Sequence, residues 1–143
     1  MILFVRLNQT KFFSYLINVS RILRKELITN IKILLKLLNQ SKNAYINYNS
    51  NNSQYFFAEE LRFINKKIFT HIETKKLTED IELKKALSEL KEHLVQWMLL
   101  WDKKNMTKDF NLNDEFRFKG YKTYPKKLDS MLSHHLKKLI NEN

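Results

Sequence analysis

Residues 12–38 read FFSYLINVSRILRKELITNIKILLKLL, and this stretch decides the fold. It contains neither glycine nor proline, and its large apolar residues recur at steps of three and four. Such spacing lines up side chains along one face of an α-helix. The stripe consists of Phe12, Leu16, Val19, Leu23, Leu27, Ile31, Leu34 and Leu38. The pattern therefore predicts a long N-terminal helix.

The side of this helix opposite the stripe is basic. Its cations fall within an arc of about 60° when successive residues are rotated by about 100°. They are Arg21, Lys25, Lys32 and Lys36. Further isoleucine and leucine residues fill much of the remaining circumference, as is typical of a helix that is covered on several sides. We expect a central helix of a bundle or of a dimer, with a thin basic strip exposed.

The first residues of the chain are apolar but do not predict a membrane span. Arg6, Asn8 and Lys11 interrupt the apolar residues well short of the roughly 20 that a membrane span requires. No small-residue cleavage site precedes Arg21, so a signal peptide is not expected either. We expect a cytoplasmic protein whose first residues pack on the bundle or mediate self-association.

The chain then alternates between a loop and helices. Residues 39–54 are rich in Asn and Ser, whose side chains compete for backbone hydrogen bonds, so a loop is predicted there. Apolar residues at helical spacing predict a second helix over residues 55–75. Thr78 is the predicted N-cap of a third helix, with Glu79 and Asp80 in its first turn.

The third helix is predicted to end near Asp102, and its apolar seam is typical of a coiled coil. The helical period is lost over residues 103–124, where alternating aromatic and polar residues predict an extended segment or a small hairpin turning near Gly120. Pro125 suits the first position of a fourth helix, which should run to about Asn141. The predicted fold class is therefore all-α, a four-helix bundle that forms one domain.

The composition excludes whole classes of enzyme. A single glycine, Gly120, cannot supply a Gly-rich phosphate loop or the GxSxG elbow of hydrolases. The absence of cysteine excludes thiol nucleophiles, thiolate zinc sites and iron–sulfur clusters. The stretch from Asp109 to Asn113 begins like an EF-hand loop, but glycine and glutamate are missing at the later positions that a calcium site needs.

The four histidines are His71, His93, His134 and His135. None belongs to the Glu-x-x-His pairs that di-iron bundles use, so each is expected to be a core-edge residue with one hydrogen bond. Two histidines and a carboxylate brought together by tertiary contact remain the less favoured alternative. We expect no catalytic residue, no metal and no cofactor.

The net charge is +11, and it is concentrated at the two ends of the chain. Residues 1–54 carry +7 and residues 103–143 carry +5, whereas the middle is close to neutral. A surface for a polyanion would therefore be built from the ends. However, the cations are 21 lysines and only 5 arginines, beside 15 asparagines. An AT-rich genome produces that composition without selection, and arginine is the residue favoured for phosphate recognition.

The second basic end interleaves cations with aromatic residues, the combination that binds single-stranded nucleic acid. Its candidate contact residues are Lys103, Lys104, Arg117, Lys119, Lys122, Lys126 and Lys127. Alternation in an extended segment places rings and charges on opposite faces. The favoured interpretation is therefore that the rings close the end of the bundle while the lysines stay solvated.

A second candidate surface lies near the end of the third helix. Trp97 and Trp101 are one helical turn apart, with Leu99 and Leu100 beside them. Tryptophan is enriched at binding hot spots, but a helix that is apolar all round equally indicates a core. The sequence is equally compatible with a core position and with a partner interface for these four residues.

The favoured hypothesis is a non-catalytic binding or adaptor protein that meets a second copy or a protein partner through apolar helix faces. The alternative is a nucleic-acid-binding protein that uses the two basic ends. A metal-dependent or nuclease-like helical enzyme comes third.

Overall fold

The computed structural model describes the backbone of residues 2–50, 55–104 and 124–142, and the side chains of residues 10–48, 50, 56–98 and 124–142. These residues form four helices and no strand. The helices are α1 (Ile2–Ser50), α2 (Tyr55–Thr74), α3 (Ile81–Lys104) and α4 (Leu128–Asn141). The predicted all-α bundle with a long N-terminal helix is confirmed. α1 has 49 residues, a length of about 74 Å.

The helices are arranged so that α1 packs against α2 and α4, and α3 packs against the same two helices. α1 and α3 therefore lie diagonally across the bundle. The main core joins all four helices through leucine and isoleucine side chains. Its most deeply buried members are Ile31, Leu34, Ile68, Leu83, Leu90, Leu128 and Leu132. A smaller core lies beyond it, between α1, α2 and α3, and consists of Ala44, Tyr48, Ala58, Leu61 and Trp97.

The predicted loop over residues 39–54 is wrong for residues 39–50, because α1 continues to Ser50. Ala44 and Tyr48 on this part of α1 are 2% and 1% exposed, and they pack in the smaller core. Burial of these side chains outweighs the weak helix propensity of the neighbouring Asn and Ser residues. Residues 51–54 lie outside the described part of the chain.

The connection between α2 and α3 differs from the prediction in its cap. α2 ends at Thr74 as expected, within one residue. The backbone N–H of Leu83 donates to Oδ1 of Asp80 at 2.8 Å, so Asp80 rather than Thr78 caps α3. Thr78 instead accepts a hydrogen bond from the backbone N–H of Asp80 at 3.0 Å. α3 begins at Ile81 and ends at Lys104, two residues later than predicted.

The last helix begins later than predicted. Pro125 lies in a turn before α4, whose first residue is Leu128, and the backbone N–H of Leu128 donates to the carbonyl of Pro125 at 3.1 Å. The predicted extended segment or hairpin falls on residues 105–123, outside the described residues. Within the part of the chain that the structure describes, none of the helices combines the length and the apolar character needed to cross a membrane.

Candidate functional site

The N-terminal half of α1 extends past the other helices that the structure describes. The guanidinium of Arg24 donates to the backbone carbonyl of Glu142, which marks the level at which α4 ends. Residues 10–23, here called the projecting segment, come before that level and span about 21 Å of helix. Every described side chain in it is exposed except that of Val19, which is half-buried.

The projecting segment carries large apolar side chains that the described part of the chain leaves uncovered. Their exposed fractions run from 42% to 64%. They are Phe12, Phe13, Tyr15, Leu16, Ile17, Ile22 and Leu23. The sequence stripe predicted burial along the whole helix, but within one chain it is buried only from Ile31 onward, at Ile31, Leu34 and Leu38. Phe12, Leu16 and Leu23 continue the same face of the helix without a cover.

The basic strip of α1 is exposed along its whole length. Arg21, Lys25, Lys32 and Lys36 all point away from the packed face. The strip spans about 23 Å along the helix axis. The single acidic residue of α1, Glu26, lies about 110° round the helix from the centre of the strip. The strip is therefore a continuous positive surface.

The other predicted cations are described only in part. Lys126 and Lys127 are exposed in the turn before α4. Lys103 and Lys104 belong to the last turn of α3, where a non-helical segment was predicted, and their side chains are outside the described set. Arg117, Lys119 and Lys122 also lie outside the described residues.

Trp97, one of the residues of the predicted partner interface, is buried inside this chain. Trp97 is 5% exposed and packs against Ala44, Ala58 and Leu61 in the smaller core. It therefore belongs to the interior of this chain rather than to a free face. The side chains of Leu99, Leu100 and Trp101 are outside the described set.

A cavity of about 400 Å³ lies between α1, α2 and α3, at the level where α4 begins. Its inner wall is apolar, and Trp97 forms one side of it. The other apolar lining residues are Leu38, Leu61, Ile68, Leu90 and Leu94. The polar and aromatic lining residues are Ser41, Lys42, Tyr45, Asn65, His93 and Tyr124. The cavity therefore lies along the diagonal between α1 and α3, beside the side chains that join them in the two cores.

The rim of the cavity is held by a hydrogen-bonded cluster that joins α1 to the start of α4. Asp129 accepts from the ammonium of Lys42 and, at 2.9 Å, from the hydroxyl of Tyr124. Burial raises the pKa of the Tyr124 hydroxyl well above its usual value, and the nearby Asp129 carboxylate adds to the shift. The ring of Tyr124 stands edge-on to His93, with centroids 6.1 Å apart. Tyr124 is therefore held in its neutral, donating form at this rim.

The wall of the cavity contains a polar pair. The hydroxyl of Ser41 on α1 donates to Oδ1 of Asn65 on α2 at 2.8 Å. Asn65 is 5% exposed, and its side chain lines the cavity. The pair therefore places one amide group in an otherwise apolar wall.

The histidines are placed in separate structural contacts. Nε2 of His71 donates to the backbone carbonyl of Asn30 at 2.8 Å, and Nε2 of His135 lies 3.0 Å from the hydroxyl of Thr78. In the described ranges, no three or more His, Asp or Glu side chains are grouped as a metal ion would need. The His and carboxylate contacts that the structure describes are therefore those of a packed bundle.

Sequence reasoning missed the cavity and the uncovered face of the projecting segment. No short motif marks either of them, because both depend on how far the other helices reach along α1. No family model, no curated protein and no solved structure compared with this chain matches it.

Proposed function

We propose that this protein is a non-catalytic binding module of the cytoplasm that self-associates through the projecting segment of α1. The observation that carries the proposal is the uncovered apolar face of that segment, where Phe12, Leu16 and Leu23 are 58%, 44% and 42% exposed. Contiguous apolar surface of this kind is unusual on a monomeric protein and is typical of an interaction site.

A helix is the partner that the exposed face fits. Phe12, Leu16, Val19 and Leu23 follow one another at steps of four, three and four, the spacing of a coiled-coil seam. The same face packs against helices further along α1. A second copy supplies an identical seam, so that two projecting segments related by a two-fold axis are complementary to each other.

The charges on the segment are compatible with such a pair. The cations of the segment are Lys11 and Arg21, which are both exposed and lie about 110° and about 170° round the helix from the centre of the seam. They would point into solvent when the seams of two copies meet, so that like charges do not face each other across the interface. Their hydration is retained, and only apolar surface is removed from water.

The test compares the same substitution on two sides of one helix. Leu16→Lys places a charge in the seam and should shift the protein to a monomer in sedimentation equilibrium. Asn18→Lys places the same charge about 160° away, on the solvated side, and should leave the dimer unchanged. A wild-type protein that stays monomeric at high concentration would overturn the proposal, as would equal effects of the two variants.

A second candidate function, nucleic-acid binding, is favoured by the exposed basic strip. Its test is the salt dependence of binding to a single-stranded oligonucleotide. Each phosphate contact that is lost should lower the slope of log K against log salt by about 0.7. Replacing Lys25, Lys32 and Lys36 by glutamine should therefore flatten the slope by about 2. The control is the same replacement at Lys84, Lys85 and Lys91 on α3, the helix diagonal to α1, which should change the slope less.

A further inference from the structure

The cavity beside Trp97 opens to solvent on the side of Lys42 and Tyr45, which are both exposed, and its apolar wall reaches into the core of the bundle. Protein interiors are packed to the density of organic crystals, and voids larger than a water molecule are few. A volume of about 400 Å³ lies in the range of small-molecule binding sites, which begins near 300 Å³. The residues around it are otherwise well packed: Leu90 is 0% exposed and Leu61 is 2% exposed.

The inner wall favours an apolar guest. Leu38, Leu90 and Leu94 face Leu61 and Ile68 across the space between α1, α2 and α3. No charged residue lies among these aliphatic side chains. An alkyl chain or a ring placed here would remove its own surface and that of the wall from water.

The polar groups of the cavity favour a guest with an acceptor at one end. The oxygen of the Asn65 amide already accepts from Ser41, so the amide nitrogen is the donor that this side chain can offer to a guest in the cavity. The ammonium of Lys42 has three N–H donors, and the contact that the structure gives it is the one to Asp129. Lys42 and His93 are the ionisable nitrogen groups of the lining, and no carboxylate belongs to the described lining residues.

We propose that this cavity binds a small amphipathic molecule with an apolar body and an anionic head, of the chemical class of medium-chain carboxylates. The body lies among the leucines and Trp97, and the head lies near Asn65 and Lys42. The site is independent of self-association, because the projecting segment is on the other part of α1.

The probes are decanoate, decanol and decylamine, which share one body and differ in the head. Calorimetric titration of the full chain should show one molecule of decanoate bound per chain, at least about tenfold more tightly than decylamine. Decanol should fall between them. Equal affinities for decanoate and decylamine would overturn the anionic head, and binding of several molecules with no defined stoichiometry would overturn the cavity site.

Variants separate the cavity from the exposed apolar face of α1. Leu61→Phe fills the cavity and should weaken decanoate binding about tenfold or more, whereas Leu16→Asn on the projecting segment should not change it. Leu94→Phe is the second filling variant, for use where circular dichroism shows that Leu61→Phe is not folded. Undiminished binding in a folded filling variant would overturn the proposal.

The head group is tested without changing the net charge. The double variant Lys42→Gln, Asp129→Asn removes both members of the ion pair, so the overall attraction of the protein for anions is the same. Decanoate should then bind about fivefold more weakly, while decanol should be unaffected. An unchanged ratio of decanoate to decanol affinity would show that the rim does not recognise the head.

Discussion

The two halves of α1 have the same kind of sequence and opposite surroundings. In the packed portion, residues 24–48, Ile31 and Leu34 are fully buried, whereas Leu16 and Leu23 in the projecting segment are more than two-fifths exposed. Both halves have an apolar face and a basic back. The difference arises because α4 ends beside Arg24, and no other helix that the structure describes covers the face beyond it. Helical periodicity therefore identifies a face but not the surface that covers it.

The largest expected contrast is between Leu34→Ala and Leu16→Ala. Leu34 is 0% exposed in the main core, so truncation should lower the free energy of unfolding by about 2–5 kcal/mol. Leu16→Ala, measured by urea unfolding at a concentration where the chain is monomeric, should change it by less than about 0.5 kcal/mol. A large loss in the dilute Leu16→Ala variant would show that the projecting segment is covered within one chain.

The next contrast uses two asparagines. The amide of Asn30 is buried and donates to the backbone carbonyl of Lys76 at 2.9 Å, so Asn30→Ala should cost about 1–3 kcal/mol. Asn18 is exposed, and Asn18→Ala should be neutral or slightly stabilising, because alanine is the better helix former. Thermal unfolding of both variants measures the difference. Equal shifts of the melting temperature would contradict the different packing of the two halves of α1.

Glycine substitutions, which act mainly by increasing the flexibility of the backbone, should have a smaller effect on the free energy of unfolding. Lys36 and Lys11 are both exposed lysines of α1, one in each half. Lys36→Gly should lower the free energy of global unfolding by about 1 kcal/mol, because that turn is formed only when the core is formed. Lys11→Gly should increase amide hydrogen exchange around residue 11 without moving the urea midpoint. A shifted midpoint for Lys11→Gly would mean that the whole helix unfolds as one unit with the bundle.

The smallest effect is the pH dependence of the hydrogen bond from Tyr124 to Asp129, in the cluster that joins α1 to the start of α4. The pKa of Tyr124 is raised in the folded protein, so its contribution to stability is complete below the unfolded pKa near 10 and is lost as the pH rises above it. Urea unfolding of wild type and Tyr124→Phe should therefore give a smaller difference at about pH 11 than at about pH 8. A difference that does not change with pH would place the hydroxyl in solvent.

Much of the fold could be predicted from spacing. Ile31, Leu34 and Leu38 were placed in the core by steps of three and four, and the same pattern located α2 and α3. The extension of α1 to Ser50 could not be predicted in this way, because its inward residues include Ala44, which gives a weak apolar signal. Small residues are buried there because α2 comes close, which is a tertiary effect.

The helix ends were predicted less well, since capping depends on geometry. Thr78 and Asp80 are both good N-cap residues, and only the bond from Leu83 to Asp80 distinguishes them. The candidate surfaces were predicted in part. The exposure of Lys25 and Lys36 follows from the helical wheel, whereas the cavity requires knowing that α1 and α3 are diagonal neighbours.

The cavity also determines how the protein should respond to hydrostatic pressure. Unfolding under pressure is driven by the loss of internal void volume, since water fills that space in the unfolded chain. The cavity opens to solvent at Lys42 and Tyr45, so its apolar inner part, lined by Leu61, Leu90 and Leu94, is the part that acts as an internal void and that compression disfavours. The bundle should therefore lose its native structure at lower pressure than a fully packed bundle of the same stability, and a molecule that occupies the void should raise that pressure.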